Sequence, residues 1–257
     1  MLKSILTLCF SFTAIAATCQ TNIKLTNSVV SDILKGNYVY EVYEPSAAFN
    51  DPHAIAAELS DRIRPDSLHS YLKKMSAFET RNTGSDTVSD TRGMGAARRW
   101  AHQMFEKFSA ENENRLEVSF LQFDLNICGV SQHKNVVAVL PGKQTQDFDG
   151  SQTGVVLIEG HLDSRCNTSC DTNCLAEGME DNGSGSALVV ELARVLAKYE
   201  YNRTIVFMLT TGEEQGLHGA EAMAKYCGDN NIPIAAVLNN DVIGGVICGE
   251  TSSPPSC

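Results

Sequence analysis

The chain has 257 residues, with 20 basic against 31 acidic side chains and a formal charge of −11. That length buries a substantial core, as one large domain or one domain with an appendage. The acidic excess argues against a nucleic-acid or anionic-membrane binder, which needs a basic patch, and 20% charged with 43% hydrophobic residues excludes disorder and coiled coil.

Residues 1–19 read as a signal peptide: Lys3 supplies a positive charge, Ser4 to Ala17 is mostly apolar and too short to span a bilayer, and Ala14, Ala16 and Ala17 are small. Cleavage falls after Ala16 or just before Gln20, and Cys19 also allows a lipid anchor. No later run reaches the roughly 18 apolar residues of a membrane span, so the expected location is secreted, periplasmic or extracellular. Residues 20–60 form a weakly periodic N-terminal segment. From Pro65, apolar Leu68, Tyr71, Leu72, Met75 and Phe78 at three- and four-residue steps predict a helix, with Asp66 or Ser67 placed to cap it. A second helix is expected over about Gly95 to Phe108, with Trp100, Met104, Phe105 and Phe108 on one side; Arg81-Asn82-Thr83-Gly84-Ser85-Asp86 between them is turn-rich.

From residue 135 onward strands and helices alternate. Asn135 to Leu140, Gly154 to Ile158, Thr204 to Leu209 and Ala235 to Leu238 are apolar runs, and continuous apolarity implies strands covered on both faces, as in a parallel sheet. Helices are expected from near Ser184, with Leu188, Leu192, Val195, Leu196 and Tyr199 on one face, and over about Leu217 to Tyr226. The pattern is that of an α/β fold, an open sheet with helices on both sides, which binds ligands at the carboxyl ends of its strands.

An exported chain folds in an oxidising compartment, so Cys128, Cys166, Cys170, Cys174, Cys227, Cys248 and Cys257 read first as disulfide partners. Their odd number implies a free thiol, an intermolecular bridge or a partner past the last residue. Cys166, Cys170 and Cys174 lack the paired spacing of a zinc site and read as a stapled loop, either shaping a substrate rim or reinforcing the surface.

The strand ends carry the chemistry. After the second strand the chain reads Glu159-Gly160-His161-Leu162-Asp163-Ser164, and after the third Thr210-Thr211-Gly212-Glu213-Glu214-Gln215-Gly216. After the fourth it reads Asn239-Asn240-Asp241-Val242-Ile243-Gly244, and Gly178 to Gly185 precedes the first crossover helix. One imidazole and at least five carboxylates are thereby aimed at one rim. Like charges this close raise one another's pKa, and Arg165 is the only basic residue in these segments. A pair of divalent cations would compensate, and an oxygen-rich set with nitrogen ligands suits zinc first, with manganese or cobalt as the weaker alternatives.

HLDS, EDNGSG, GEEQGLHG and NNDVIGG resemble, in order and approximate spacing, the metal-binding segments of the M28 family of zinc exopeptidases, over about residues 65–245. The resemblance implies a three-layer α/β/α fold around a central mixed, mostly parallel sheet, with two co-catalytic zinc ions and residues 61–257 as the catalytic domain. It implies His161 and Asp241 on one zinc, Asp181 bridging both, Glu214 on the second, Glu213 as general base and Asp163 orienting His161. The implied activity is exopeptidase hydrolysis of a peptide or protein substrate by a metal-bound hydroxide, first as an aminopeptidase. A carboxypeptidase, a glutaminyl cyclase-like acyl transferase and a non-catalytic receptor-like ectodomain are the alternatives.

One part of the family pattern is absent. The family carries a further metal-binding histidine downstream of the aspartate motif, and no histidine follows Asp241; His218, four residues after Glu214, is a weak substitute. The chain closes on the loop-like Thr251 to Cys257, so the expectation is the front part of a longer protein whose catalytic domain is incomplete at its C-terminal end.

Overall fold

The computed structural model describes residues 19–243; all but the last residue of the leader read over residues 1–19, with Cys9, Cys248, Cys257 and the closing segment, lies outside the described residues. Six strands form one sheet: β1 (Thr21–Leu25), β2 (Glu117–Ile127), β3 (Val130–Leu140), β4 (Val155–His161), β5 (Ile205–Thr210) and β6 (Ile234–Asn239), in the order β1-β2-β3-β5-β4-β6. The neighbours β5, β4 and β6 run parallel, while β1–β2, β2–β3 and β3–β5 pair antiparallel. The sheet is thus mixed, with β2, β4, β5 and β6 pointing the same way.

Strand alternation separates two cores. Val136, Ala138 and Leu140 of β3 and Ile205, Phe207 and Leu209 of β5 face α3 (Pro65–Ser76), α4 (Gly93–Glu111) and α5 (Gly185–Leu196). The intervening Val137, Val139, Val206 and Met208 face α1 (Ser28–Leu34) and α6 (His218–Asp229). Helices on both faces make the three-layer α/β/α architecture, and explain why TIVFML is apolar without a break. α2 (Pro52–Arg62) precedes α3 directly.

Three sequence expectations change. The run Asn135 to Leu140 is not a parallel strand but part of a hairpin arm: β2 and β3 join through Cys128 and Gly129, whose φ angles of 50° and 87° are those a tight two-residue hairpin demands. Within residues 20–60, β1 extends the same sheet and Val30, Ile33 and Leu34 of α1 are buried in its core. α3 is capped by neither Asp66 nor Ser67. Pro65, lacking an N–H, takes the first helical position, so the cap falls to Arg64, and Asp66 instead lends its charge to the first turn. The run Ala235 to Leu238 is not covered on both faces: β6 is the edge strand of the described residues, and all six of its residues are exposed.

The cysteine loop is stapled as expected, by Cys128–Cys170 and Cys166–Cys174, while Cys19 is exposed and Cys227 buried, both free among the described residues. Cys128–Cys170 ties the β2–β3 hairpin tip across 42 residues and Cys166–Cys174 spans only 8. Loop-closure entropy then predicts that Cys128→Ser with Cys170→Ser costs about 4 kcal/mol, against about 2.5 kcal/mol for the 166–174 pair. Urea denaturation of the two double variants checks the order.

Candidate active site

The parallel trio brings its carboxyl ends to one rim. His161 ends β4, the strand between β5 and β6, Glu213 and Glu214 lie just past β5, and Asp241 lies just past β6. Asp181 reaches the rim from an irregular turn over Met179–Ser184 that leads into α5. Gly178 opens this turn at φ 50°, where a Cβ would stand 2.5 Å from Ser164 Cβ and 2.6 Å from Asp181 O, so only glycine fits.

Buried His161 is the hub. Its Nδ1–H donates to the Asp163 backbone carbonyl at 3.0 Å, which leaves Nε2 facing Asp181 Oδ1 at 3.1 Å, Asp241 Oδ1 at 3.5 Å and Glu213 Oε2 at 3.9 Å. Burial works against a charged imidazole, but the hydrogen bond and charge of Asp163 with the charges of Glu213 and Asp241 outweigh it and hold the pKa at about 9. A cation that binds Nε2 therefore displaces a proton. Glu213 is raised by burial and by Asp163, Asp241 and Asp181, with His161 opposing. A carboxylate raised this way is a better proton acceptor near neutral pH.

The ligand atoms of His161, Asp181 and Asp241 all lie within 4.8 Å of one another. One imidazole nitrogen with two carboxylate oxygens fits zinc. Glu214 stands apart: its carboxylate is paired with the Arg165 guanidinium. Burial and Asp181 raise its pKa, and Arg165 opposes them. His218 pairs with Glu221 at 3.3 Å and is not part of the ligand group. A cavity of about 440 Å³ opens beside the group, lined by Arg165, Met179, Glu180, Asp181 and Glu214 and by Cys166 and Asn167 of the stapled loop.

One electrostatic expectation is corrected. Arg165 is not the only basic group at the rim: it engages Glu214, and the fully buried Arg81, from outside these segments, lies near Asp163 and Asp181. Burial lowers the Arg81 pKa to about 10, with Asp163 and Asp181 resisting, so it stays charged at neutral pH. These two guanidiniums still leave the carboxylates in excess. The Asp163 carboxylate lies 3.7 Å from His161 Nδ1. Its Oδ1 also accepts from Glu213 N at 3.2 Å, and its Oδ2 from Glu214 N at 3.1 Å and Thr83 Oγ1 at 3.2 Å.

Sequence reasoning missed Arg81, Thr83 and Asn182 as site-building residues. Buried Asn182 donates to Asn240 O at 2.8 Å and accepts from Gly185 N and Val242 N, stitching the Asp181 turn to the segment that carries Asp241. A sequence gives little signal for such contacts, because the partners are backbone groups far away in the chain.

The profile of peptidase family M28 matches residues 135–246. A probable zinc metalloprotease of Pyrenophora teres f. teres is 34% identical over 204 residues, which cover 77% of this chain and 43% of that protein. Another, of Pyricularia oryzae, is 34% identical over 205 residues, covering 74% of this chain and 39% of that protein. The chain thus spans less than half the length of these curated relatives. Among solved structures, the LapA aminopeptidase of Legionella pneumophila superposes with a TM-score of 0.58 at 21% identity, over 79% of this chain and 50% of that one. An Acidobacteriales bacterium glutaminyl cyclase gives 0.54 at 20% identity, over 78% and 63%. At these identities the structural likeness is one of fold.

Proposed function

The chain belongs to peptidase family M28, and we propose that it acts as an exported zinc exopeptidase, an aminopeptidase that releases N-terminal residues from peptides with two zinc ions at the strand-end rim. The observation that carries this reading is the gathering of His161 Nε2, Asp181 and Asp241 within one ligand sphere, with Glu213 beside it. His161, Asp181 and Asp241 would hold the first ion. The second would take Glu214, released from Arg165, with Asp181 as the shared ligand; its remaining donor is not among the described residues. When bound, zinc polarises the scissile carbonyl and makes water more acidic.

The side chains of this chain do the rest. Glu213 takes the proton of the attacking water and passes it to the leaving amine nitrogen, a role its raised pKa suits. Asp163, fully buried, holds the turn that presents Glu213 and Glu214. Export is supported by the two disulfides and by the leader read over residues 1–19. No helix among the described residues is long and apolar enough to cross a membrane.

The purified zinc-loaded protein should release the aromatic amine from aminoacyl anilides, lose that activity to a chelator and regain it with zinc. It should leave N-blocked peptides intact. Cleavage of blocked substrates alone, or cyclisation of N-terminal glutamine without hydrolysis, would refute the aminopeptidase reading.

A further inference from the structure

Resting on the zinc-site reading, we propose that Arg81 is a positioning residue whose guanidinium fixes the distance between the His161–Asp163 segment and the turn that carries Asp181. Its Nε donates to Leu162 O at 2.7 Å, the carbonyl between His161 and Asp163 in the chain. Its Nη2 donates to Gly178 O at 2.8 Å, and its Nη1 donates to Glu177 O and, at 3.3 Å, to Met75 O at the end of α3. The backbone repeats the link. Arg81 N donates to Ser164 Oγ at 3.1 Å, Ser164 N donates to Arg81 O at 3.3 Å, and Ser164 Oγ donates to Ala176 O at 2.6 Å.

Three segments that belong to different elements therefore converge on one planar group. The helix end gives it an anchor, and the other two segments each carry a proposed zinc ligand. A guanidinium suits this task because its donors point outward from a rigid plane toward acceptors on several sides. A lysine has three donors at a single point and cannot span the same carbonyls. Burying a charge is costly unless its donors are satisfied, and Arg81 is 0% exposed with these acceptors around it. A filler of the core needs neither the charge nor the fork. Thr83, two residues on, extends the clamp by donating to Asp163 Oδ2.

Arg81→Lys and Arg81→Met in the full chain test the assignment. Zinc affinity is measured by competition with a chromophoric chelator, the ligand field by the visible bands of the Co²⁺-substituted protein, and kcat and KM alongside urea stability. Both variants should bind zinc roughly 10- to 100-fold more weakly, the cost typical of losing a group that orients metal ligands. Their Co²⁺ bands should shift, kcat should fall more than KM changes, and Lys should rescue no better than Met. Folded variants with parental zinc affinity and an unchanged Co²⁺ spectrum would overturn the proposal, whatever their loss of stability.

Should neither variant fold, Arg81→Gln keeps a planar group with two donors in place of the five of the guanidinium. Ser164→Ala removes the Oγ bonds to Arg81 N and Ala176 O and leaves the guanidinium in place. Weakened zinc binding in these variants supports the clamp, and parental affinity in both refutes it. A parent protein that binds zinc yet cleaves no peptide refutes the proposed activity instead, and the zinc and Co²⁺ readouts still judge Arg81.

Discussion

Glu213→Gln is expected to keep zinc bound and to lose roughly 10²- to 10⁴-fold in turnover, the range attributed to a general acid–base group. The substitution preserves volume and removes only the ability to accept a proton. His161, Asp181 and Asp241 form the ligand group without Glu213, which stands 3.9 Å from Nε2. Metal content should therefore be conserved. Zinc analysis of the dialysed variant together with kcat on an aminoacyl anilide separates the two effects. Turnover within about tenfold of the parent would remove Glu213 from the base role, and loss of zinc would move it into the ligand set.

The parts of the fold legible in the sequence are those where one physical cause dominates. GVVLI and TIVFML stand out because the strands they mark are covered by helices on both sides, so no polar residue interrupts them. β2 is harder to see. One of its faces is buried through Ser119, Leu121 and Phe123, the other is only partly covered at Val118 and Phe120, and Gln122, Asp124 and Asn126 break its apolar character. β1 is polar at Thr21, Asn22 and Lys24, and its place is set by pairing with β2, a contact about a hundred residues away in the chain.

The site divides in the same way. His161, Asp181 and Asp241 could be picked out because acidic and imidazole side chains recur at successive strand ends, where the fold must aim them at one rim. Arg81 could not, because an arginine in a turn-rich stretch looks like a solvated surface residue until its acceptors at residues 75, 162, 177 and 178 are brought to it. The same holds for Asp163. Its sequence position beside His161 suggests a partner for the imidazole, and only the tertiary fold shows that the adjacent carbonyl takes that bond and frees the carboxylate for the glutamate turn.

That difference yields the second large effect. Asp163→Asn keeps the shape of the side chain, but an amide has one acceptor oxygen where the carboxylate has two. In either orientation its NH₂ then faces a backbone N–H donor: Glu213 N if it replaces Oδ1, or Glu214 N if it replaces Oδ2. With Asp163 fully buried, no solvent relieves the clash, and losing a hydrogen bond to a charged acceptor costs about 1.5–3 kcal/mol. The negative charge that supports Arg81 is lost as well. The His161 tautomer should persist, because its Nδ1–H is held by the backbone carbonyl of residue 163 whatever the side chain. Affinity for the first zinc ion should then fall by less than about tenfold, while kcat and affinity for a second ion fall roughly 10- to 100-fold as the turn bearing Glu213 and Glu214 shifts. Zinc titration, urea denaturation and kcat on the same preparation decide the matter: a loss confined to the first ion would return Asp163 to orienting His161.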